Sequence, residues 1–188
     1  GREIRDQLRA VRFMFADDRP TTAGLLVCGI DPMAWVPGAY VQFVRYPRIA
    51  IGDIVRDHRR IDGPLTDFLR RLDDIIAANI EIRTDLSGPK QRDRPTYPIL
   101  ALQELARNAV IHRNYDGTAA PVRINWFDDR VEITSPGGPY GTVTAESFGR
   151  DGITDYRNPT LGEAARAMGF VQRFGSGIPR AREALNRN

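Results

Sequence analysis

The sequence predicts an α+β protein, with a small α/β unit over residues 1–88 and a second α/β unit over residues 96–188. Three observations carry this. Apolar residues recur at helical spacing over 2–15, 65–79 and 98–112, and short runs at 39–46 and 122–134 alternate like strands. Between the two groups, the stretch Ser87-Gly-Pro-Lys-Gln-Arg-Asp-Arg-Pro95 is polar, rich in breakers and free of large apolar residues, which marks a boundary.

Taken in order, Ile4, Leu8, Val11 and Phe15 give the first helix, and Asp17-Asp-Arg-Pro20 ends it. The chain opens without Met, in what reads as mid-helix, so a fragment of a longer protein is expected. The runs 23–30 and 39–46 read as strands, separated by Asp31-Pro32 and Pro37-Gly38, and 51–60 as a third. Pro64 fits a first helical turn, after which Leu65, Phe68, Leu69, Leu72, Ile75 and Ile76 form an amphipathic stripe ending near Asn79. A strand at 81–86 follows. Pro98 starts a helix expected to run to about His112. Residues 122–127 and 130–134 alternate around Asp128-Asp129 as a short hairpin. The Gly-rich stretch 135–158 has little periodicity, as a lid or binding loop would. Helices at 160–168 and 178–186 close the chain.

Composition narrows the function classes. Of 188 residues, 41% are hydrophobic and 27% charged, as in a globular chain able to bury a core. No apolar run approaches the ~18 residues of a membrane span and nothing resembles a signal peptide, so a cytoplasmic location without membrane contact is expected. The lone Cys28 reads as a small core residue, and two histidines with one cysteine leave no zinc cluster. Net charge is only +3, yet the basic residues are 26 Arg and a single Lys. Arginine suits bidentate phosphate contacts, although genomic base composition produces the same bias. Trp35, Trp126 and the Phe residues read as core, and His58 as solvated or part of a modest phosphate patch.

The richest segment is Glu104-Leu-Ala-Arg-Asn108-Ala-Val-Ile-His112-Arg-Asn-Tyr115. Four residues advance a helix by about 40° beyond one turn, so Glu104, Asn108 and His112 form one slanted stripe. Leu100, Ala101, Leu105, Ala109 and Ile111 flank it, while Gln103 and Arg107 mark the polar face. A carboxylate, an amide and an imidazole aimed into an apolar surface need partners. Either a ligand or a buried hydrogen-bond network satisfies them.

Four motifs then carry a family resemblance: Glu104-xxx-Asn108-xxx-His112-Arg113-x-Tyr115, Val131-Glu-Ile-x-x-Pro136-Gly137, Arg157-Asn158-Pro159 and Gly175-x-Gly177-Ile178. Together they resemble the GHKL ATPase superfamily with its Bergerat nucleotide fold, a two-layer α/β sandwich. The likeness is closer to a divergent branch in bacterial transcriptional regulators, variously labelled RecG-like or divergent AAA, in which this domain follows a Schlafen/AlbA-like DNA-binding domain. Residues 20–88 look like the segment joining the two domains, through Thr21-Thr-Ala-Gly-Leu-Leu-Val-Cys-Gly29, Pro37-Gly38-Ala39 and Gly63-Pro-Leu65.

The resemblance implies ATP and Mg²⁺ as cofactors, Glu104 as the base that polarises water, and Asn108 as the metal ligand. It places His112, Arg113, Ser135, Gly137, Arg157, Gly175, Gly177 and Ile178 at the nucleotide. Physical chemistry agrees in part: an amide oxygen is a hard ligand suited to Mg²⁺, and a Gly-x-Gly before a helix lets backbone N–H groups approach phosphates. An ordinary turn between helices explains the same glycines, and His112 reads equally as a phosphate contact or a helix-end pin. Asn158 reads best as a cap. The sequence departs from the superfamily where Ser135 replaces the acid that accepts from adenine, where Asn114 replaces Asp, and where the later strands of the sandwich are missing. A C-terminally truncated sandwich with an exposed edge is therefore expected, covered by another element or chain. The implied function is a Mg-ATP-binding regulatory domain with at most slow hydrolysis, reaching DNA through an upstream domain and forming a homo-oligomer. A degenerate scaffold without nucleotide, and direct nucleic-acid binding, are the alternatives.

Overall fold

The computed structural model describes residues 3–52, 54–86, 91–150, 152, 153, 155–171 and 177–188. Among the described residues, helices α1 (Ile4–Ala10), α2 (Thr22–Cys28), α3 (Leu65–Asn79), α4 (Ile99–Ile111), α5 (Pro159–Ala167) and α6 (Gly177–Arg187) are interspersed with three consecutive pairs of strands. The strands are β1 (Val41–Arg45), β2 (Asp57–Ile61), β3 (Ile82–Asp85), β4 (Arg92–Pro95), β5 (Val122–Trp126) and β6 (Val131–Thr134). The protein is α+β.

One four-stranded sheet runs in the order β2-β1-β5-β6, and β3 with β4 forms a separate two-stranded ribbon. β1 pairs antiparallel with β2 and parallel with β5, so Val41 stands between Ile61 and Val122, and Phe43 lies beside Ile124. Because strand side chains alternate faces, these residues share one side of the sheet. They form a single core with Leu26 of α2, Leu69 and Leu72 of α3, Ala106 and Val110 of α4, and Leu161 of α5. On the other side, Arg60, Gln42 and Arg123 stand in register across three strands, and Tyr46 stacks on Phe127 at 5.0 Å. The stretch expected as a boundary contains β4, which pairs with β3, and its residues 87–90 lie outside those described. A cut between 88 and 96 would part β1 from β5.

Several elements differ from expectation, each for a local reason. The first helix stops at Ala10 because Arg12 adopts φ 60°, its N–H bonding Arg9 O and that of Phe13 bonding Leu8 O at 2.8 Å. That is a Schellman closure. The apolar run at 23–30 is not a strand but α2. Thr21 caps it, its hydroxyl oxygen accepting from Gly24 N–H at 3.0 Å. As a helix it turns Cys28 outward, so the cysteine is exposed rather than in the core. Trp35 is likewise exposed, whereas Trp126 is core, edge-on to Tyr97. β4 was hidden by its charge: Asp93 accepts from the Thr84 hydroxyl across the ribbon, but no apolar face marks the strand.

α4 is fixed from both sides. Leu102, Ala106 and Val110 face the core, and Leu100, expected to flank the Glu104–Asn108–His112 stripe, is exposed. Arg107 holds Asp73 of α3 in a two-point ion pair and donates to Phe170 O at 2.8 Å, tying α4 to its neighbours. Along its remaining flank α4 carries α6. Among the described residues no helix is long and apolar enough to cross a membrane.

Candidate functional site

A cavity of about 770 Å³ opens between α4, the end of β6, the segment 135–158 and α6. Its volume is in the usual range for small-molecule sites. From α4 it takes Glu104, Asn108 and His112; from the turn after β6, Ser135 and Gly137; from the first turn of α6, Gly177 and Ile178. Seven residues chosen for their chemistry, from three distant stretches, thus share one space. Arg113 and Arg157 do not line it, and Gly175 lies outside the described residues.

Glu104 and Asn108 mark the end of the cavity nearest α6. The Glu104 side chain is 14% exposed, and Arg180 of α6 reaches its Oε1 at 3.8 Å. Gly177 lies directly over the pair: a Cβ there would fall 2.7 Å from Asn108 Nδ2 and 2.9 Å from Glu104 Oε2. A residue without a side chain is what lets α6 seat on the stripe.

His112 is eight residues from Glu104, so the stripe spans about 12 Å of helix axis. The ring stacks on Tyr156 with centroids 5.6 Å apart. Burial lowers its pKa below the ordinary 6.5, and the Arg157 charge lowers it further. Ser135 donates its hydroxyl hydrogen to Ala109 O at 2.7 Å, locking the β6 turn onto α4. Gly137 has φ 101°, a left-handed conformation suited to glycine, and a Cβ there would meet Asn114 Cβ at 2.9 Å.

The other motif residues build the frame. Arg113 is 1% exposed and points away from the cavity, donating to Thr118 O at 2.8 Å and to Ala120 O at 2.7 Å. Its guanidinium lies 4.7 Å from the Tyr115 ring centre, and burial depresses its pKa. Tyr115 donates to Val110 O at the end of α4, and its own pKa is raised by burial. Asn114 accepts through Oδ1 from the N–H groups of Asp116 and Gly117. An aspartate oxygen would accept the same two bonds, so the Asn for Asp departure costs this turn nothing. Arg157 donates to Gly138 O at 3.0 Å and lies over Tyr140.

Asn158 is a cap, but of a different helix. Its side chain makes no capping bond to α5. Instead Nδ2 donates to Ile111 O at 2.8 Å and Arg113 O at 2.7 Å, closing the C-terminal end of α4.

The structure adds residues that sequence reasoning passed over. Asp155 lines the cavity, and its carboxylate accepts from Thr142 N–H at 3.1 Å and Tyr156 N–H at 2.8 Å. Those two backbone donors hold its pKa below the usual carboxylate range. Arg182 of α6 donates to the carbonyls of Gly149 and Phe148, fastening the covering segment to α6. Neither belongs to a spaced motif, so only the fold brings them in.

Among the described residues no cluster of three or more His, Cys, Asp or Glu side chains offers a ready metal site. The hard oxygens near the α6 end are one carboxylate, Glu104, and one amide, Asn108. That set is sparse, yet Mg²⁺ commonly takes one or two protein oxygens and completes its shell with phosphate and water.

Comparison with known proteins gives a likeness of sequence and a likeness of fold. Residues 119–188 match the family model described as "Putative ATP-dependent DNA helicase recG C-terminal". Over those residues the chain is similar to an ATPase-like family. The match covers β5, β6, the covering segment, α5 and α6, and begins after the α4 stripe. The crystal structure of the DIP2311 protein from Corynebacterium diphtheriae superposes with a TM-score of 0.68 at 22% identity, over 96% of this chain and 35% of that one. At that identity the likeness is one of fold, and the chain spans about a third of that protein. No curated protein matches the chain.

Proposed function

We propose that the cavity is a nucleotide site, taking ATP with Mg²⁺ in a regulatory domain that turns over slowly or not at all. The observation that supports this best is convergence: Glu104, Asn108, Ser135, Gly137 and Gly177 come from separate elements and line one space. Its ends differ in character. At α6, an eleven-residue helix presents its N-terminal N–H groups and positive dipole end beside Glu104 and Asn108, which suits phosphates. Leu105 and Ala109 of α4, with Ile133 of β6, offer an apolar wall for a base. Asn108 would hold the metal through its amide oxygen, and Mg²⁺, when bound, supplies charge compensation for the phosphates. Glu104 would take the proton from an attacking water. Arg180 competes for that carboxylate, in keeping with slow turnover. In a longer protein, ligand-dependent ordering of the segment 135–158 would bias a DNA-contacting domain upstream, the output expected of a transcriptional regulator.

One observation favours a second reading, a scaffold without nucleotide. Gly177 sits so close to Asn108 and Glu104 that no phosphate fits between them in this conformation. Calorimetric titration with a non-hydrolysable ATP analogue, with and without Mg²⁺, separates the two. Magnesium-dependent binding that Asn108→Ala weakens at least tenfold supports the nucleotide site. Neither heat nor thermal stabilisation up to millimolar ligand means the scaffold reading stands instead.

A further inference from the structure

A second, smaller cavity of about 290 Å³ opens at the end of the sheet, between the C-terminal end of α3, the β3–β4 ribbon and the β5–β6 turn. Small-molecule sites usually start near about 300 Å³, so it suits a ligand of few atoms. Its wall is polar, and most of its charges are already matched. Arg45, at the end of β1, donates to Asn79 Oδ1 at 3.0 Å and to Glu81 Oε1. Asp129 is paired with Arg130 at 3.0 Å. What remains is one cation and one anion. Arg83 of β3 and Asp128 of the turn both line the cavity, yet among the described residues neither side chain is hydrogen-bonded or ion-paired. On the ribbon Arg83 stands opposite Arg94, a like charge that sharpens its need for an anion. Tyr97 lies within the field of both walls. Burial raises its pKa, Asp129 raises it further, and Arg83 pulls it down. Its hydroxyl bonds nothing among the described residues and is free to donate. The Thr96 hydroxyl accepts from Glu81 N–H at 3.3 Å and keeps its own hydrogen to give.

An unmatched guanidinium and an unmatched carboxylate in one small polar cavity call for a ligand that carries both opposite charges. A lone anion such as phosphate would meet Asp128 and Asp129 as well as Arg83. A lone cation would leave Arg83 unmatched. An α-amino acid answers both, since its carboxylate fits the two-point fork of a guanidinium and its ammonium sits one carbon away. We propose that this cavity is a second binding site, for an α-amino acid, with Arg83 and Tyr97 holding the carboxylate and Asp128 accepting from the ammonium. The site is independent of the nucleotide reading, because neither Arg83 nor Asp128 lines the larger cavity. Both side chains are exposed, so water weakens each contact and affinity is expected in the millimolar range.

Ligand-observed NMR first screens the standard α-amino acids at millimolar concentration against the wild-type protein. Titration then compares the best binder with its α-hydroxy acid, which lacks the ammonium, and with its carboxamide, which lacks the carboxylate. Each change should weaken binding to the wild type at least about fivefold. In Asp128→Asn the penalty for the α-hydroxy acid should shrink to within about twofold, while the penalty for the carboxamide persists. Arg83→Gln should show the reverse pattern. Because both residues are exposed and unpaired, the two variants should melt with the wild type. No binding of any amino acid, or penalties that neither variant moves, would overturn the proposal. Lost binding together with a lowered melting temperature would show that these residues shape the fold instead, and would overturn it too.

Discussion

His112 ends α4 with its ring stacked on Tyr156 and the Arg157 charge nearby, an environment that resists a second positive charge. Its folded pKa lies below the ordinary 6.5, chiefly through burial. The sign follows by linkage. As pH falls through about 6.5 the unfolded chain takes up a proton that the folded imidazole refuses, so stability present above that pH is lost on acidification. The melting temperature should therefore drop more between pH of about 7.5 and about 5.5 in the wild type than in His112→Gln. Parallel drops in the two proteins would show that His112 carries no such linkage. Beside it, Arg113 shows how a motif can be legible and its work not. The spacing His112-Arg113-x-Tyr115 stands out in the sequence, yet Arg113 spends its guanidinium on the carbonyls of Thr118 and Ala120, and Tyr115 its hydroxyl on Val110. Nothing in spacing distinguishes an arginine that meets phosphate from one that props a loop.

At the scale of elements, α2 carries the sharpest prediction. In a helix, Gly→Ala ordinarily stabilises by about 1 kcal/mol. At Gly24 a methyl would fall 2.0 Å from Phe13 O, a backbone atom that cannot swing aside. Gly24→Ala should therefore destabilise, by about 2–3 kcal/mol, as overpacking does. Gly52→Ala, with nothing within 4 Å of its Cβ position, should stay within about 0.5 kcal/mol of the wild type. Urea midpoints decide it, and a gain at Gly24 would mean that α2 does not dock on the segment at Phe13. The elements whose patterns were sustained were legible: the Leu65–Ile76 stripe of α3, the hairpin of β5 and β6, and the stripe of α4. α2 was not, because Leu25-Leu-Val-Cys28 is a short apolar run whose period fits strand or helix alike. Its type was decided by the Thr21 cap and by backbone approach at Gly24, which periodicity does not weigh. In the candidate site, Glu104, Asn108 and Gly177 could be read from spacing, whereas Asp155 and Arg182 enter through the path of a long loop.

For the whole molecule, what matters is that one sheet and one core draw on both halves of the chain. β1 is paired with β5 across the polar stretch at 87–95, and α3 is bound to α4 by Asp73 and Arg107. Heat should therefore unfold the protein in one cooperative transition, with calorimetric and van't Hoff enthalpies in agreement. Two resolved transitions would instead show residues 1–88 and 96–188 unfolding as independent units. The parallel pairing of Val41 with Val122 also has a consequence for how the molecule is made. During synthesis β1 and β2 leave the ribosome long before β5 exists, and their apolar faces and open edge must wait. Long-range parallel pairing is slow to form and exposed while it waits. Biogenesis, more than the finished fold, is thus where this protein is vulnerable: its sheet closes late, around a strand supplied by the half that arrives last.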